Sequence, residues 1–417
     1  MRSWTLAWRC ASALGAAFVT SAFACGAGLP CGYSVTTIMG PALPPFGQTT
    51  LRLHDINDAG LAVGHYFLIS SARVPCTWTA EEGVKAIPVG ASGILDAESV
   101  KVNNNNWILV NAQTNRGKRG FVLIPNASGS WDWVQMLPPV EGGVDTWVFD
   151  INDKNQVVGR QSAGVGNYPH GGYMWSIETG RVDIAIEGWN ATSCVAINDA
   201  GTIAGDVSQS VQASGAASTR AFVLHEGAVT IVEPRGPYAT SACGAINAAG
   251  ILAGGFANAT GLVGVGFTLD GSRDELVVIP PPQEASRWMP RDINGTGVMC
   301  GAMILSSNNQ LRACVADGSG VLNLTQYAPP GVSYLSDAPS IRDDGTMVIK
   351  CISFCSVLLW PVDASVGDVN CDGTVGPKDV AAVINAWGAK DSAADTNADG
   401  VVDGADLGVV LANWTQG

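Results

Sequence analysis

Two stretches near the carboxyl end carry the most specific chemistry in the sequence. Asp368, Asn370, Asp372, the carbonyl of Thr374 and Asp379 fall at positions 1, 3, 5, 7 and 12 of a twelve-residue loop with Gly373 at position 6. Farther on, Asp395, Asn397, Asp399, the carbonyl of Val401, Asp403 and Asp406 repeat the pattern around Gly400, with Asp403 filling position 9. Calcium takes about six to eight hard oxygen ligands, and this spacing wraps them around one ion while the glycine makes the sharp turn. Gly376 offers no side chain at position 9 of the first loop, so water serves there. Two calcium ions are expected.

Each loop runs into a short apolar pattern, and the two align at Val380/Leu407, Val383/Val410, Ile384/Leu411 and Trp387/Trp414. This spacing predicts two exit helices whose apolar faces pack together. With Asp rather than Glu at position 12, and no helix leading into either loop, residues 366–415 resemble a type I dockerin. The resemblance implies docking to a cohesin module, which attaches secreted proteins, often polysaccharide-degrading enzymes, to a scaffold. That family usually shows Ser or Thr at positions 10 and 11; here Pro377-Lys378 and Gly404-Ala405 stand there.

Ahead of the tail, one phrase recurs. Asp55-Ile56-Asn57-Asp58-Ala59-Gly60 returns around Ile151, Ile197, Ile246 and Ile293, with weaker copies at Val102 and Ile341. Seven copies at a period of about 46–49 residues signal a propeller or solenoid. Asn and Asp suit a hairpin cap, and Gly supplies positive φ. Short β-branched and aromatic runs fill the rest of each unit and read as strands. The last unit lacks its fourth strand, while a matching run, Tyr33–Ile38, stands alone before the first. Pairing those two would close a ring and hide the edges.

The phrase and its trailing aromatic strand resemble the extracellular HAF-type repeat over residues 33–360, which implies an exported propeller and no defined chemistry. The expected fold is mainly β: a seven-bladed β-propeller of four-stranded blades, its N-terminal strand closing the last blade, with a small α-helical calcium-binding C-terminal domain. The expected organisation is a signal peptide over 1–24, the propeller over 30–361 and the dockerin-like domain over 362–417.

Arg2 and Arg9 followed by the small apolar run Ala11–Ala24 fit a secretory signal, too short to span a bilayer. Export is therefore expected, to the periplasm or beyond, with lipid anchoring on Cys25 the rival to free release; no later segment reads as transmembrane. In an oxidising compartment the ten cysteines beyond Cys10 suggest disulfides. Cys300/Cys314, Cys351/Cys355 and Cys194/Cys243 are the candidate pairs. The net charge of −14 leaves nothing to neutralise phosphates and excludes nucleic acid as a partner. Half of that charge belongs to residues 363–417, with nine Asp against two Lys.

The repeats offer less chemistry. His54, His65, His170 and His225 are scattered along the repeats, and no catalytic motif surrounds them, so no catalytic residue is assigned. Asp55, Asp150 and Asp292 share one repeat position, which suits a turn or a bond between blades. If they gathered about 5–10 Å apart in the channel, they would favour glycoside chemistry. Trp147, Trp189, Tyr238, Trp288 and Tyr334 fall in the connections between units and form a candidate rim for a glycan or protein partner. These features predict a secreted calcium-binding interaction protein, with a secreted carbohydrate-active hydrolase or lyase as the alternative.

Overall fold

The computed structural model describes residues 32–362 and 366–415, apart from 45–46, 90–93, 136–142, 164–169, 210–217, 262–263, 272, 274, 319, 370–373, 390–393 and 398. The expected signal peptide and Cys25 lie outside the described residues.

The β region is a succession of antiparallel meanders. Leu51–Ile56, Ala62–Phe67, Arg73–Thr79 and Gly83–Ala86 form sheet one. Ile94–Val102, Ile108–Thr114, Gly117–Pro125 and Trp131–Gln135 form sheet two; Gly143–Ile151 opens sheet three and Ala191–Ile197 opens sheet four, each with four strands. Next comes an eight-stranded sheet, in which the four strands opening with Thr240–Ile246 join the four opening with Ala285–Ile293 through one parallel bridge, Gly264 to Arg287. In the last sheet, Leu335–Ile341, Met347–Cys351 and Cys355–Val362 are completed by Gly32–Met39. That strand pairs along its whole length with Cys355–Val362, from Gly32 opposite Val362 to Met39 opposite Cys355. The two parts of the split repeat thus meet in one sheet.

Apolar cores lie between successive sheets. Leu109 and Val122 of sheet two pack with Val148, Ile151 and Tyr173 of sheet three. Val348 and Leu358 of the last sheet pack with Leu51, Leu53 and Ile56 of sheet one. Glycines in second and third strands make room for aromatic rings. A Cβ on Gly254 would stand 2.5 Å from the Phe267 ring, and one on Gly266 would collide with the Trp288 indole.

The first strand of each sheet carries a β-bulge just before the repeat position. The register slips between Leu53 and Asp55, Ser99 and Lys101, Val148 and Asp150, Cys194 and Ala196, and Pro290 and Asp292. A bulge re-aims the residue that follows it, and four of these residues, Asp55, Lys101, Asp150 and Asp292, make the contacts between sheets described below.

Among the described residues, the tail holds two helices, Pro377–Asn385 and Gly404–Ala412, each following its loop. Val383 and Val410 are their buried contacts, packed with Val369, Val375, Ala394 and Val402. No helix among the described residues is long and apolar enough to cross a membrane.

Candidate functional site

The Ile-Asn phrase has two functions in the fold. The first is local: the Asn57 side-chain oxygen accepts the N–H of Leu61 at 3.0 Å and caps its own hairpin. Asn103, Asn152, Asn198, Asn247 and Asn294 do the same for the residue four places on. The fourth residue of the turn takes positive φ, as Gly60 at 81° or Gly201 at 81°, with Asn106 and Asn155 at 60° in sheets two and three.

The second function joins sheet to sheet. Asn57 Nδ2 donates to the carbonyl of Asn103 at 3.0 Å, and Asn103 to that of Asn152 at 2.9 Å. Asn152 reaches Asn198, Asn198 reaches Asn247, Asn247 reaches Asn294, and Asn294 reaches Arg342. Arg342 stands where the others have Asn and donates to the carbonyl of Asp58 at 3.2 Å, back in sheet one. These amides are buried; Asn247 is 3% exposed. The sequence suggested the turn cap but not this relay, because the donated bond spans about one full repeat.

Inside the relay lies an ionic cluster at the post-bulge position. Asp55 accepts the N–H of Val102, Asp150 that of Ile197, and Asp292 that of Ile341. Each carboxylate therefore holds the first strand of the following four-strand unit, at the repeat position one beyond its own. The Lys101 ammonium lies 3.6 Å from Asp55 and 3.8 Å from Asp292, while the Ser340 hydroxyl donates to Asp55 at 2.6 Å. Burial alone would lower the Lys101 pKa, but Asp292, Asp55 and Asp150 outweigh it and raise it. Burial pushes Asp150 up to about 6 against the pull of Lys101. These groups border a cavity of about 220 Å³. The carboxylates do gather, but backbone amides and a lysine hold them.

The aromatic candidates are mostly engaged. Trp288 is a correction: it is 1% exposed, lies over Gly266 and donates its indole N–H to Ile279 at 2.7 Å, so it is core and not rim. The Arg160 guanidinium sits 4.7 Å from the centre of the Trp147 ring, and that of Arg312 3.8 Å from the Tyr334 ring. Tyr238 stacks on Phe256 at 6.1 Å, and Trp189 packs beside Ile186 and Cys194.

The cysteines also divide. Cys351 and Cys355 form a disulfide with Cα atoms 5.6 Å apart. Cys300 and Cys314 are free, because Cys300 lies opposite Val315 and Cys314 opposite Gly301. That one-residue offset sends their side chains into different cores. Cys194 and Cys243 are free as well.

In the second tail loop, short side-chain bonds draw the oxygens inward. Asp395 accepts the N–H groups of Asp399 and Gly400, Asn397 accepts that of Asp399, and Asp399 accepts that of Val401. Gly400 takes φ of 99° at the sharp turn. Asp406 is fully buried and accepts the N–H groups of Asn397 and Asp403. Burial raises its pKa, yet these donors and Thr396 prevail and hold the carboxyl below the usual range. Asp403 also caps the second helix through the N–H of Ala405 at 2.7 Å. In the first loop Asp368 and Asp379 are buried and Thr374 is exposed, while Asn370 and Asp372 lie outside the described residues. Carboxylates gathered around a glycine turn, with Asp368, Asp379 and Asp406 buried at the loop ends, fit a hard divalent cation.

The two tail halves clasp each other through positions 27 residues apart, Val375 and Val402. Val375 pairs with Thr415 through N–H to hydroxyl at 2.7 Å and the return N–H to carbonyl at 3.0 Å. Val402 pairs with Gly388 at 2.8 Å and Ala389 at 3.0 Å.

Residues 366–412 match the family model of the Dockerin type I domain. A comparison with curated protein sequences finds no match. Among solved structures, an oligogalacturonate lyase in complex with manganese is similar at 10% identity and a TM-score of 0.50, over 79% of this chain and 96% of that one. The Dos1 propeller is similar at 10% identity and 0.44, over 78% and 83%. TolB from Acinetobacter baumannii is similar at 12% identity and 0.40, and the alignment spans 64% of each chain. At these identities the likeness concerns the fold alone. The chain thus holds a β region of antiparallel meanders, most of them four-stranded sheets consistent with propeller blades, followed by a type I dockerin domain.

Proposed function

We propose that this is an exported, calcium-loaded interaction protein, in which the tail attaches a closed seven-bladed propeller to a cohesin-class module. The reading rests on one observation: the family match covers both oxygen-rich loops and both exit helices. The relay that leaves Asn57 and returns to Asp58 supports the closed ring of seven, each half of the eight-stranded sheet being one blade. The signal at 1–24, the propeller at 30–361 of HAF-type repeats and the tail at 362–417 complete the organisation. Two calcium ions bind, one per loop, held by Asp368, Asn370, Asp372, Thr374 and Asp379, and by Asp395, Asn397, Asp399, Val401, Asp403 and Asp406. Because Pro377-Lys378 and Gly404-Ala405 replace the usual hydroxyl residues, the matching cohesin reads a surface without them.

The test is calcium titration of the full chain by calorimetry, followed by capture on immobilised type I cohesins with calcium or with chelator. Two ions bound and calcium-dependent capture are expected. No binding of calcium would overturn the reading of the tail. Two bound ions with no capture by any cohesin would overturn the attachment and leave the metal loops standing.

A second reading, a carbohydrate-active hydrolase or lyase, has one observation in its favour: Asp55, Asp150 and Asp292 gather around the cavity at Lys101. Their bonds to the strands of neighbouring sheets favour a structural use. Release of reducing ends or unsaturated products from acidic polysaccharides, abolished by Asp150→Asn in a folded protein, would establish the enzyme.

A further inference from the structure

A second cluster lies between sheets one and two and shares no residue with the Lys101 group. His54 is the bulged residue of Leu51–Ile56, His65 is on the adjacent strand Ala62–Phe67, and Glu98 is on Ile94–Val102 of the neighbouring sheet. His54 Nε2 stands 3.2 Å from His65 Nδ1, and Glu98 Oε2 stands 3.7 Å from that same nitrogen. All three ligand atoms lie within 4.8 Å of one another. We propose that His54 Nε2, His65 Nδ1 and Glu98 form a site for a divalent transition metal of the zinc class, with the remaining coordination positions open.

Geometry and donor type carry the proposal. Zinc holds imidazole nitrogens at about 2.0–2.1 Å, which places two of them roughly 2.9–3.4 Å apart. Two imidazoles and one carboxylate are a common set for a metal that keeps a position for an exogenous ligand. A hydrogen bond alone explains the pair poorly. It joins the two rings and leaves out the carboxylate, which stands 3.7 Å from the same nitrogen, beyond hydrogen-bond reach. Metal at Nδ1 would fix the His65 tautomer and replace that single neutral bond with coordination.

The neighbouring cations leave room for the ion. Arg73 touches Glu98 at 2.6 Å, but its Nε also bonds Asp96 at 2.9 Å, so Glu98 can turn to a metal without stranding the guanidinium. Lys350 faces Asp337 at 3.4 Å, and Arg52 donates to the carbonyls of Leu51 and Ser353 at 2.9 Å. The site is separate from the tail loops in ligand chemistry, since nitrogen donors favour transition metals and all-oxygen loops favour calcium.

The experiment is a cobalt(II) titration of the full chain with calcium in excess, read by visible absorption. One cobalt per chain, with nitrogen and oxygen ligand-field bands that zinc displaces, is expected. His65→Asn should weaken binding more than about tenfold, and Glu98→Gln by about tenfold or more. Absence of the bands in the wild type, intense thiolate charge-transfer bands, or equal affinity in the variants would overturn the proposal. If His65→Asn does not fold, zinc-induced protection of the β region decides: a shift of the unfolding midpoint in the wild type but not in Glu98→Gln supports the site, and equal shifts refute it.

Discussion

Replacing Asn198 by alanine removes both halves of one relay step. The side-chain oxygen accepts the N–H of Thr202 at 3.0 Å, and the amide donates to the carbonyl of Asn247 at 3.0 Å. Asn198 is 6% exposed, Thr202 4% and Asn247 3%, so water does not readily replace either bond. A buried polar group left without its partner costs about 1–3 kcal/mol. Two such groups, eased by local relaxation, give a loss of about 3 kcal/mol. The assay is urea unfolding followed by tryptophan fluorescence at fixed calcium, with Asn308→Ala as the exposed control, expected within about 0.5 kcal/mol of wild type. Asn198→Asp sharpens the test. A protonated carboxyl can both accept and donate, whereas the carboxylate faces the Asn247 carbonyl with no proton. The folded-state pKa is therefore raised, the variant is closest to wild type in acid, and it loses stability as pH rises from about 4. If Asn198→Ala lies within 0.5 kcal/mol of the wild type, roughly the range of a surface change, the relay contributes nothing and the argument fails.

Three further outcomes follow from the same contacts. Asp206 accepts the N–H of Cys243, and burial raises its pKa to about 7; this contribution to stability is present in acid and lost as pH rises through 7. Asp206→Asn should thus stabilise the fold at pH 8 by on the order of 1–2 kcal/mol and change little at pH 5, and a stabilisation independent of pH would contradict the assignment. Alkylation of the unfolded, unreduced chain followed by mass analysis should label Cys76, Cys194, Cys243, Cys300 and Cys314 and spare Cys351 and Cys355; an unlabelled Cys300–Cys314 pair would refute the strand register. Asp406→Asn should reduce the calcium stoichiometry in calorimetry from two to one, and an unchanged count would show that the second loop does not hold the ion.

What the sequence revealed depended on how local the determinants were. Asp395 through Asp406 lie in one loop, so their spacing alone disclosed the oxygen cluster. The solitary strand at Tyr33 was legible because the last repeat lacked its counterpart. Trp288 was misplaced because its burial depends on Gly266, a residue in the preceding meander. Cys300 and Cys314 required the register to the single residue, since an offset of one reverses the face. Lys101 belongs to a weak copy of the phrase, and its acidic neighbours come from three different sheets. His54 and Glu98 are more than forty residues apart, so no motif search joins them.

The chain enters the β region at Gly32 and leaves it at Val362, and these residues face each other in the last sheet. If the tail is anchored and the body is dragged by flow, the tension arrives along the axis of Cys355–Val362. That strand is interior, bonded to Met347–Cys351 on one side and Gly32–Met39 on the other. A pull along the strand loads its cross-strand hydrogen bonds together, in shear, whereas a pull across it would open them one after another. The split repeat therefore places the point of traction on a strand braced from both sides, and gives the β region a grip that resists peeling.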